Sequence, residues 1–208
     1  MAGIAALPGC VGSCREFTVT LKDLHGFPSA SQVLMYNNAM NDETITWAAM
    51  KSRIGTIRVA ATPRGVCKIA LGKETAQDFI GWLERYVGLA PHKSERMGIV
   101  ALALDQIEEY LNGVRREFDL PLDLRGTEFQ RRMWSTVAAI PYGQTRTYAD
   151  IARTMGKPLA VRAVGAANGA NPLPLVVPCH RVLGSDGSLT GYGGGLDVKQ
   201  KLLEMEGE

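Results

Sequence analysis

The amino-acid sequence predicts an α/β protein in which a small antiparallel sheet with helices is followed by a helical domain of the helix-turn-helix kind. Three observations support this prediction. Short β-branched runs separated by turns fill residues 44–71, amphipathic helical patterns continue to residue 111, and two helical segments flank a Gly-Lys-Pro turn at residues 156–158. We therefore divide the chain into an N-terminal extension (1–43), an N-terminal α/β domain (44–122) and a C-terminal domain (123–208).

The composition of the 208-residue chain is that of a soluble globular protein, with 46% hydrophobic and 21% charged residues. Its start lacks a basic segment followed by a long apolar run, so no leader or membrane segment is expected. The cysteines are too few and too scattered for a disulfide scaffold, and they are Cys10, Cys14, Cys67 and Cys179. We expect a reduced, intracellular, cytoplasmic protein without a membrane partner.

The extension over residues 1–43 has no sustained hydrophobic period and carries Gly, Pro, Ser and Asn, which predicts a poorly ordered segment. Within it, Cys10 and Cys14 form a C-x-x-x-C pair with His25 downstream, which is half of a zinc pattern. Because the spacing is loose and a fourth ligand is not evident, no metal site is predicted there.

Three strands and two helices are predicted in the N-terminal domain. The strands at residues 44–52, 56–62 and 66–71 form a meander, with Gly55 and Gly65 in the connecting turns. Helices follow at residues 74–87 and 97–111. In the second helix, apolar residues recur at helical spacing and mark a stripe that faces a core, formed by Val100, Leu104, Ile107 and Leu111.

An extended connector at residues 118–124 leads into the C-terminal domain. Thr127 occupies the position of a helix N-cap, and one face of the helix that follows carries Phe129, Met133, Val137 and Ile140. Residues 147–155 and 159–170 are then predicted as two helices joined by the turn at residues 156–158. Many helical hairpins share this helix-turn-helix pattern, so the spacing alone is a weak signal.

The second of these helices has almost no large side chains. Its small residues are Ala160, Ala163, Gly165, Ala166, Ala167, Gly169 and Ala170. Glycine inside a helix costs ~1 kcal/mol relative to alanine, so the two glycines indicate close approach of another helix or of a ligand. Arg162 is the only long cationic side chain there, as on a helix that enters a DNA groove. Residues 121–183 carry eight basic and three acidic residues, a net charge of +5 that suits a nucleic-acid-facing surface.

The motif Pro178-Cys179-His180-Arg181-Val182 places a candidate nucleophile beside a candidate base. The apolar run at residues 175–177 predicts a buried strand that ends at Pro178. A thiol with a pKa of ~8.5 is mostly protonated at neutral pH and needs a neighbour that takes its proton. Adjacent side chains of a strand point to opposite faces, so Cys179 and His180 cooperate only if the backbone turns or a water bridges them. A small buried cysteine without chemistry is the other interpretation.

Four motifs stand together in the second half of the chain: Arg162-Ala163-Val164-Gly165, Asn171-Pro172, the Pro178 to Val182 motif, and Gly191-Tyr192-Gly193-Gly194-Gly195. Over residues 124–206 the chain closely resembles the 6-O-alkylguanine-DNA alkyltransferases. The resemblance implies a ribonuclease H-like N-terminal domain and a winged helix-turn-helix-like C-terminal domain. It also implies direct DNA repair, in which an alkyl group moves from the exocyclic oxygen of a guanine rotated out of the duplex to a cysteine.

The resemblance assigns catalytic roles residue by residue. Cys179 would accept the alkyl group, His180 would deprotonate the thiol through a water, and Glu206 would orient the imidazole. Tyr148 would donate a proton or a hydrogen bond to the departing guanine. Asn171 would brace the turn that holds the active-site segment.

The resemblance also places residues on the DNA and around the damaged base. Arg162 would fill the gap left by the rotated nucleotide, with Ala163, Gly165 and Tyr148 also at the DNA. The base pocket would be lined by Val182, Tyr192 and Gly193.

The reaction that this resemblance implies is a single turnover. An S-alkylcysteine is a thioether without a carbonyl for water to attack, so one molecule repairs one lesion. Neither a metal nor an organic cofactor is implied. The expected partner is alkylated double-stranded DNA, bound by a monomer.

Other classes of protein stay open at this point. A cysteine hydrolase uses the same Cys-His pair but forms a thioester and turns over repeatedly. A helix-turn-helix regulator explains the C-terminal helices and charge but leaves the motif at Pro178 to Val182 unexplained. A fusion that senses alkyl phosphotriesters through zinc is disfavoured, because the chain lacks the set of four cysteines.

Overall fold

The computed structural model describes residues 44–88, 91–93 and 97–207, and a four-stranded sheet forms its first half. The strands are β1 (Ile45–Ser52), β2 (Gly55–Thr62), β3 (Gly65–Ala70) and β4 (Pro91–Lys93), in the spatial order β3-β2-β1-β4. The first three form the predicted antiparallel meander, whereas β4 pairs with β1 in parallel. Strand β4 was not predicted, because three residues without a β-branched side chain carry no periodicity. Cys10, Cys14 and His25 lie outside the described residues.

Six α-helices complete the described chain, and none of them is long and apolar enough to cross a membrane. Two flank the sheet, α1 (Ala76–Val87) and α2 (Gly98–Leu111). The second half contains α3 (Glu128–Ala138), α4 (Tyr148–Thr154), α5 (Val161–Gly169) and α6 (Leu196–Gly207). A 3-10 turn, Cys179–Arg181, lies within the Pro178 to Val182 motif and leads into a short parallel pair of strands, β5 (Arg146–Thr147) and β6 (Val182–Leu183).

Three helices begin at threonine caps. Thr75, Thr127 and Thr147 each accept a hydrogen bond from the backbone N–H three residues later, and the side chain at that later position bonds back to the cap. This reciprocal arrangement satisfies two N–H groups that the first turn of a helix leaves without partners. The cap at Thr127 is as predicted. Helices α1 and α4 start one or two residues later than predicted, since Thr75 and Thr147 are caps rather than first-turn residues.

The sheet is covered on both faces. Helix α1 packs Phe79 and Leu83 against one face, and α2 covers the other with its buried stripe, which includes the predicted Val100, Leu104, Ile107 and Leu111. All six residues of β3 are therefore buried, and the strand shows no alternation of exposed and buried positions.

The two halves of the chain share one apolar core, which extends from the sheet through α2 to α3, α5 and α6. The connector lies along β3, where Val66 N–H donates to Pro121 O at 2.8 Å and Asp123 N–H donates to Val66 O at 2.9 Å. In the second half, the buried Trp134 of α3 donates its indole N–H to Ala167 O of α5 at 2.8 Å. The helix-turn-helix prediction holds for α4 and α5. The division between residues 122 and 123 stays a prediction.

The predicted strand at residues 175–177 is wrong. These residues form a tight turn in which Leu175 has a φ of 75° and Val177 N–H donates to Leu173 O at 2.8 Å. A short apolar run indicates that the segment is buried, but it does not distinguish a strand from a buried turn. The side chain of Asn171 stabilises the turn, because its Nδ2 donates to Val177 O at 2.8 Å and its Oδ1 accepts from Leu173 N–H at 3.0 Å.

Candidate active site

Cys179 begins the 3-10 turn directly after Pro178, and its side chain is buried. Its backbone N–H donates to Val177 O at 2.7 Å, and the N–H of Arg181 donates to Pro178 O at 2.9 Å. The backbone therefore leaves the extended conformation at Pro178. Such a turn is one of the two conditions under which Cys179 and His180 could act together. Both side chains then lie in the protein interior on one tight turn.

His180 is fully buried, and its two ring nitrogens have different surroundings. Nε2 lies 2.7 Å from Oε1 of Glu206 and 3.4 Å from the hydroxyl of Tyr110, whereas Nδ1 has no hydrogen-bond partner among the described residues. A carboxylate only accepts, so Nε2 carries the proton and Nδ1 is the free acceptor. Burial lowers the pKa of His180, although the hydrogen bond to Glu206 opposes this shift. The lowered pKa favours the neutral imidazole, which can accept a proton at Nδ1.

Glu206 is buried at the end of α6 and is surrounded by donors. Arg181 donates from Nε to Oε2 at 2.8 Å and from Nη2 to Oε1 at 3.0 Å, Gly143 N–H donates to Oε2 at 3.2 Å, and the Tyr110 hydroxyl also donates to Oε1. Burial alone would raise the pKa of Glu206, but the hydrogen bonds from His180, Arg181 and Tyr110 outweigh it and lower the pKa to about 2. The carboxylate is therefore ionised at every physiological pH.

The thiol of Cys179 is not reactive without help. Burial raises its pKa to about 11, although a hydrogen bond from Asn171 and the charge of Lys199 partly oppose this. The other described cysteine, Cys67, is also free and buried, and burial raises its pKa to about 12. Cys67 contacts Ala60 O at 3.5 Å in the sheet. What distinguishes Cys179 is thus the base on its own turn, since both thiols are otherwise protonated.

A cavity of about 70 Å³ opens at Cys179. Residues of both halves line it, among them Lys68 and Glu74 of the N-terminal half, and also Asn168, Asn171, Tyr192 and Gly193. Two of the three residues predicted for the base pocket, Tyr192 and Gly193, thus lie beside the thiol. The third, Val182, is buried in β6 and accepts a hydrogen bond from Lys199 Nζ at 2.6 Å.

Tyr148 is the first residue of α4, and its hydroxyl faces the loop before Gly191. The hydroxyl donates to Thr190 O at 3.3 Å and accepts from Asn168 Nδ2 at 3.4 Å. Tyr148 therefore contacts Asn168, which lines the cavity at Cys179, and the loop before Tyr192.

Helix α5 presents a smooth face to solvent. Arg162, Ala163, Ala166 and Gly169 are exposed, and Gly165 is half-buried. A Cβ added at Gly165 or Gly169 would meet no described atom within 4 Å. Packing of another helix, one of the two explanations offered for these glycines, is therefore excluded for the described residues. Within them Arg162 forms no ion pair.

The chain matches two family descriptions in tandem. Residues 45–124 match the ribonuclease-like domain of 6-O-methylguanine DNA methyltransferase, and residues 128–208 match the DNA-binding domain of the same protein. The inducible methylated-DNA–protein-cysteine methyltransferase of Bacillus subtilis is 39% identical over 168 residues, which are 80% of this chain and 92% of that protein. The chain belongs to the 6-O-methylguanine DNA methyltransferase family.

Solved structures of the 6-O-methylguanine DNA methyltransferase family share this fold. The crystal structure of Mycobacterium tuberculosis OGT in complex with DNA superposes with a TM-score of 0.68 at 40% identity, covering 78% of this chain and 92% of that one. A methylated-DNA–protein-cysteine methyltransferase of Mycolicibacterium paratuberculosis is 60% identical over 104 residues, which are 50% of this chain and 63% of that protein's length. The predicted α/β class and the order of its two domains are confirmed.

Three buried polar residues of this 6-O-methylguanine DNA methyltransferase family member were not predicted for the site. Tyr110 lies three residues after Ile107 on the core face of α2, Asn168 lies on α5 and Lys199 on α6. A tyrosine on an apolar stripe signals a buried hydroxyl that needs a partner, but the sequence does not show that the partner is Glu206. Glu206 contacts His180, whereas the neighbouring Glu204 is exposed and accepts from Gln200 at 2.8 Å.

Proposed function

We propose that this chain repairs DNA by transferring a methyl or other alkyl group from the exocyclic oxygen of guanine to Sγ of Cys179. The observation that carries the proposal is the unpartnered, buried Nδ1 of His180 on the same turn as the thiol, with Nε2 held by Glu206. In the reaction, a C–S bond forms as the C–O bond of the lesion breaks. The thiol proton passes through a water to Nδ1 of His180, and the Tyr148 hydroxyl donates a proton to the guanine as it leaves.

The arrangement of charges suits proton removal from a thiol with a raised pKa. As Nδ1 accepts the proton, His180 becomes a cation, and the adjacent carboxylate of Glu206 stabilises that cation directly. Arg181 holds the same carboxylate through two hydrogen bonds, so the carboxylate stays ionised while the imidazole is neutral. Glu206 is thus the fixed charge, and His180 is the group that changes its charge.

The proposed product is an S-alkylcysteine, a thioether that water does not hydrolyse. The lesion supplies the electrophile and the protein supplies the nucleophile, so every bond that forms or breaks is accounted for without a cofactor. Among the described residues, no group of three or more His, Cys, Asp or Glu side chains could hold a metal ion. Because the thioether is not hydrolysed, one protein molecule repairs one lesion.

We place the DNA on the exposed face of α5. Gly165 and Ala163 let the phosphate backbone or groove wall approach, and Arg162 projects from this face to occupy the space of the nucleotide that rotates out. The excess of basic residues over residues 121–183 favours a polyanion in this half of the chain. The M. tuberculosis relative was crystallised in complex with DNA, which supports a DNA partner here.

The rotated base would lie between Tyr192 and Gly193 on one side and Tyr148 on the other. Its alkyl group then points into the cavity of about 70 Å³ that reaches Cys179. We assign Asn171 to the support of the turn that presents the thiol, in keeping with its hydrogen bonds to residues 173 and 177. Val182, which is buried in β6, would lie behind the residues that contact the base. The protein would act as a monomer, in the cytoplasm, on alkylated double-stranded DNA.

The test is incubation with a duplex oligonucleotide that carries one 6-O-methylguanine, followed by peptide mass analysis. We expect a methyl group on Cys179, none on Cys67, and a plateau at one methyl group per protein molecule. Cys179→Ser is the matched control and should acquire no methyl group. Repeated turnover of an activated ester, or an unmodified Cys179 after repair of the oligonucleotide, would overturn the proposal and favour a hydrolase or a different acceptor.

A further inference from the structure

Asn168 is a buried side chain to which the reaction proposed above gives no role. It lies on α5 with 3% of its surface exposed and lines the cavity at Cys179. Its Nδ2 is 3.3 Å from the carbonyl oxygen of Cys179 and 3.4 Å from the hydroxyl of Tyr148. One amide group thus contacts both the residue that would accept the alkyl group and the residue that would protonate the leaving base.

The identity of the neighbours fixes the orientation of the amide. A backbone carbonyl only accepts hydrogen bonds, so the atom of Asn168 that faces Cys179 O must be the NH₂ group. The opposite atom, Oδ1, is buried and has no hydrogen-bond partner among the described residues. The flipped orientation would bring two oxygen acceptors together and is therefore excluded.

The orientation of the amide in turn fixes the hydroxyl hydrogen of Tyr148. Because the NH₂ group donates to the hydroxyl oxygen, it occupies one of its lone pairs, and the hydroxyl hydrogen must point elsewhere. The acceptor that it finds is Thr190 O at 3.3 Å. Thr190 O also accepts from Lys199 Nζ at 2.9 Å, so the loss of the Tyr148 bond would not leave this carbonyl without a donor. The Tyr148 hydroxyl is thus free to exchange Thr190 for another acceptor.

We propose that Asn168 is a positioning residue, which keeps the Tyr148 hydroxyl in its donating orientation and thereby aims its proton at the guanine that leaves. This inference rests on the proposed function and deepens it. When the rotated base takes the place of Thr190 O, the hydroxyl is already ordered as a donor, and the departing guanine acquires its proton without a prior rotation of the hydroxyl. The same amide holds the backbone of Cys179, so the nucleophile and the proton donor keep a fixed separation.

The test compares two methyl donors that differ in their leaving group. Asn168→Asp keeps the size of the side chain but replaces the donor with a carboxylate oxygen, towards which the Tyr148 hydroxyl would turn. For a 6-O-methylguanine duplex, whose leaving group needs a proton, we expect the methylation rate of Cys179 to fall about 10- to 100-fold. For methyl iodide, whose iodide needs no proton, we expect a clearly smaller loss at Cys179, since only the contact of the amide with the Cys179 carbonyl is then disturbed.

A double-mutant comparison makes the assignment specific. Tyr148→Phe should show the same selective loss, and adding Asn168→Asp to it should cause no further loss with the duplex, because the hydroxyl that Asn168 orients is already gone. If the buried carboxylate prevents folding, as judged by the thermal transition, Asn168→Ala serves in its place with the same expectation. An equal loss with both methyl donors, or losses from the two substitutions that multiply, would overturn the role of Asn168. Failure of the wild-type protein to acquire a methyl group from the duplex would instead overturn the proposed function.

Discussion

His180 and Glu206, 26 residues apart in the sequence, lie 2.7 Å apart between Nε2 and Oε1 in the interior of the protein. Tyr110 from the N-terminal half donates to the same carboxylate, and Arg181 donates to both of its oxygens. The fold therefore brings together a helix beside the sheet, the turn after Pro178 and the last helix at one carboxylate. Residues from both halves of the chain therefore form hydrogen bonds at the candidate active site.

This arrangement predicts that Glu206→Gln affects stability as well as repair. Loss of the carboxylate leaves the buried Arg181 without its counter-charge, so we expect the free energy of unfolding to fall by about 3 kcal/mol. Repair should also slow strongly, since the imidazolium that forms on His180 loses its stabilising charge. Denaturant unfolding and the rate of methyl transfer from a duplex measure the two effects.

Glu204→Gln is the matched control. Glu204 is exposed on the same helix and accepts a hydrogen bond from Gln200 at 2.8 Å. Its substitution should change the free energy of unfolding by less than about 0.5 kcal/mol and leave repair unchanged. Equal effects at positions 204 and 206 would contradict the assignment of Glu206.

The raised pKa of Cys179 predicts a dependence of stability on pH in the alkaline range. The folded pKa of about 11 lies above the ordinary value of 9.0, so folding favours the protonated thiol. This contribution is fully present below pH 9 and is lost as the pH rises towards 11. The methylated protein has no proton to lose at this position. Its stability should therefore fall less between pH 9 and 11 than that of the unmodified protein, by about 2 kcal/mol.

Cys67 offers the internal control for this measurement, because burial raises its pKa to about 12 and we expect methylation of Cys179 to leave that pKa unchanged. It contributes the same alkaline loss to each, and the difference between the two stability curves isolates Cys179. Identical alkaline slopes for the methylated and unmodified proteins would show that the thiol is not held protonated by burial.

In acid, His180 and Glu206 act in the same direction. The pKa of each is lowered by folding, so each contributes stability above its ordinary value, and the contribution is lost as the pH falls. For Glu206 the loss extends from pH 4.5 towards 2, and for His180 it begins below pH 6.5. The rate of methyl transfer should likewise decline in acid once Nδ1 of His180 is protonated before the lesion binds, and because folding lowers the pKa of His180 this decline should begin below pH 6.5. A rate that is already half lost at pH 6.5 or above would contradict the assignment of this buried imidazole as the base.

The sequence predicted the parts of this fold that repeat along the chain and missed those that depend on contacts between distant segments. The meander, the stripe of α2 and the cap at Thr127 follow from local periodicity and turn chemistry. Strand β4 forms because Pro91–Lys93 pairs with β1, and no local sequence pattern predicts this pairing. The predicted strand at residues 175–177 is wrong because an apolar run indicates burial but does not determine the backbone conformation.

The candidate site divides in the same way. The motif at Pro178 predicted Cys179 and His180 as candidates, because a nucleophile beside a base is visible in the sequence itself. Tyr110 and Asn168 are visible only in three dimensions, where the first reaches Glu206 across 96 residues and the second contacts Tyr148 across 20. A buried polar side chain needs a hydrogen-bond partner, but the sequence does not show which residue that partner is.

The open space around Gly165 predicts that stability and DNA binding respond in opposite directions. Alanine favours a helix over glycine, and a Cβ at this position meets no described atom within 4 Å. Gly165→Ala should therefore raise the free energy of unfolding by about 0.5–1 kcal/mol while it weakens binding to duplex DNA, because the added methyl group stands where the DNA approaches. Gly81→Ala in α1 is the matched control, since a Cβ there is equally unobstructed. It should stabilise the fold and leave DNA binding unchanged.

Arg162 is expected to matter for duplex DNA and not for the transfer itself. It is exposed on α5, so Arg162→Ala should leave the thermal transition of the protein unchanged. Repair of a methylated duplex should fall about 10-fold or more, because nothing then fills the space of the rotated nucleotide and the base returns to its stack. Reaction with free 6-O-benzylguanine should be nearly unaffected. Arg153→Ala removes an exposed charge from the neighbouring helix α4 and controls for the general loss of positive charge. Equal losses with the duplex and with the free base would show that Arg162 acts on the reaction at Cys179 rather than on the DNA.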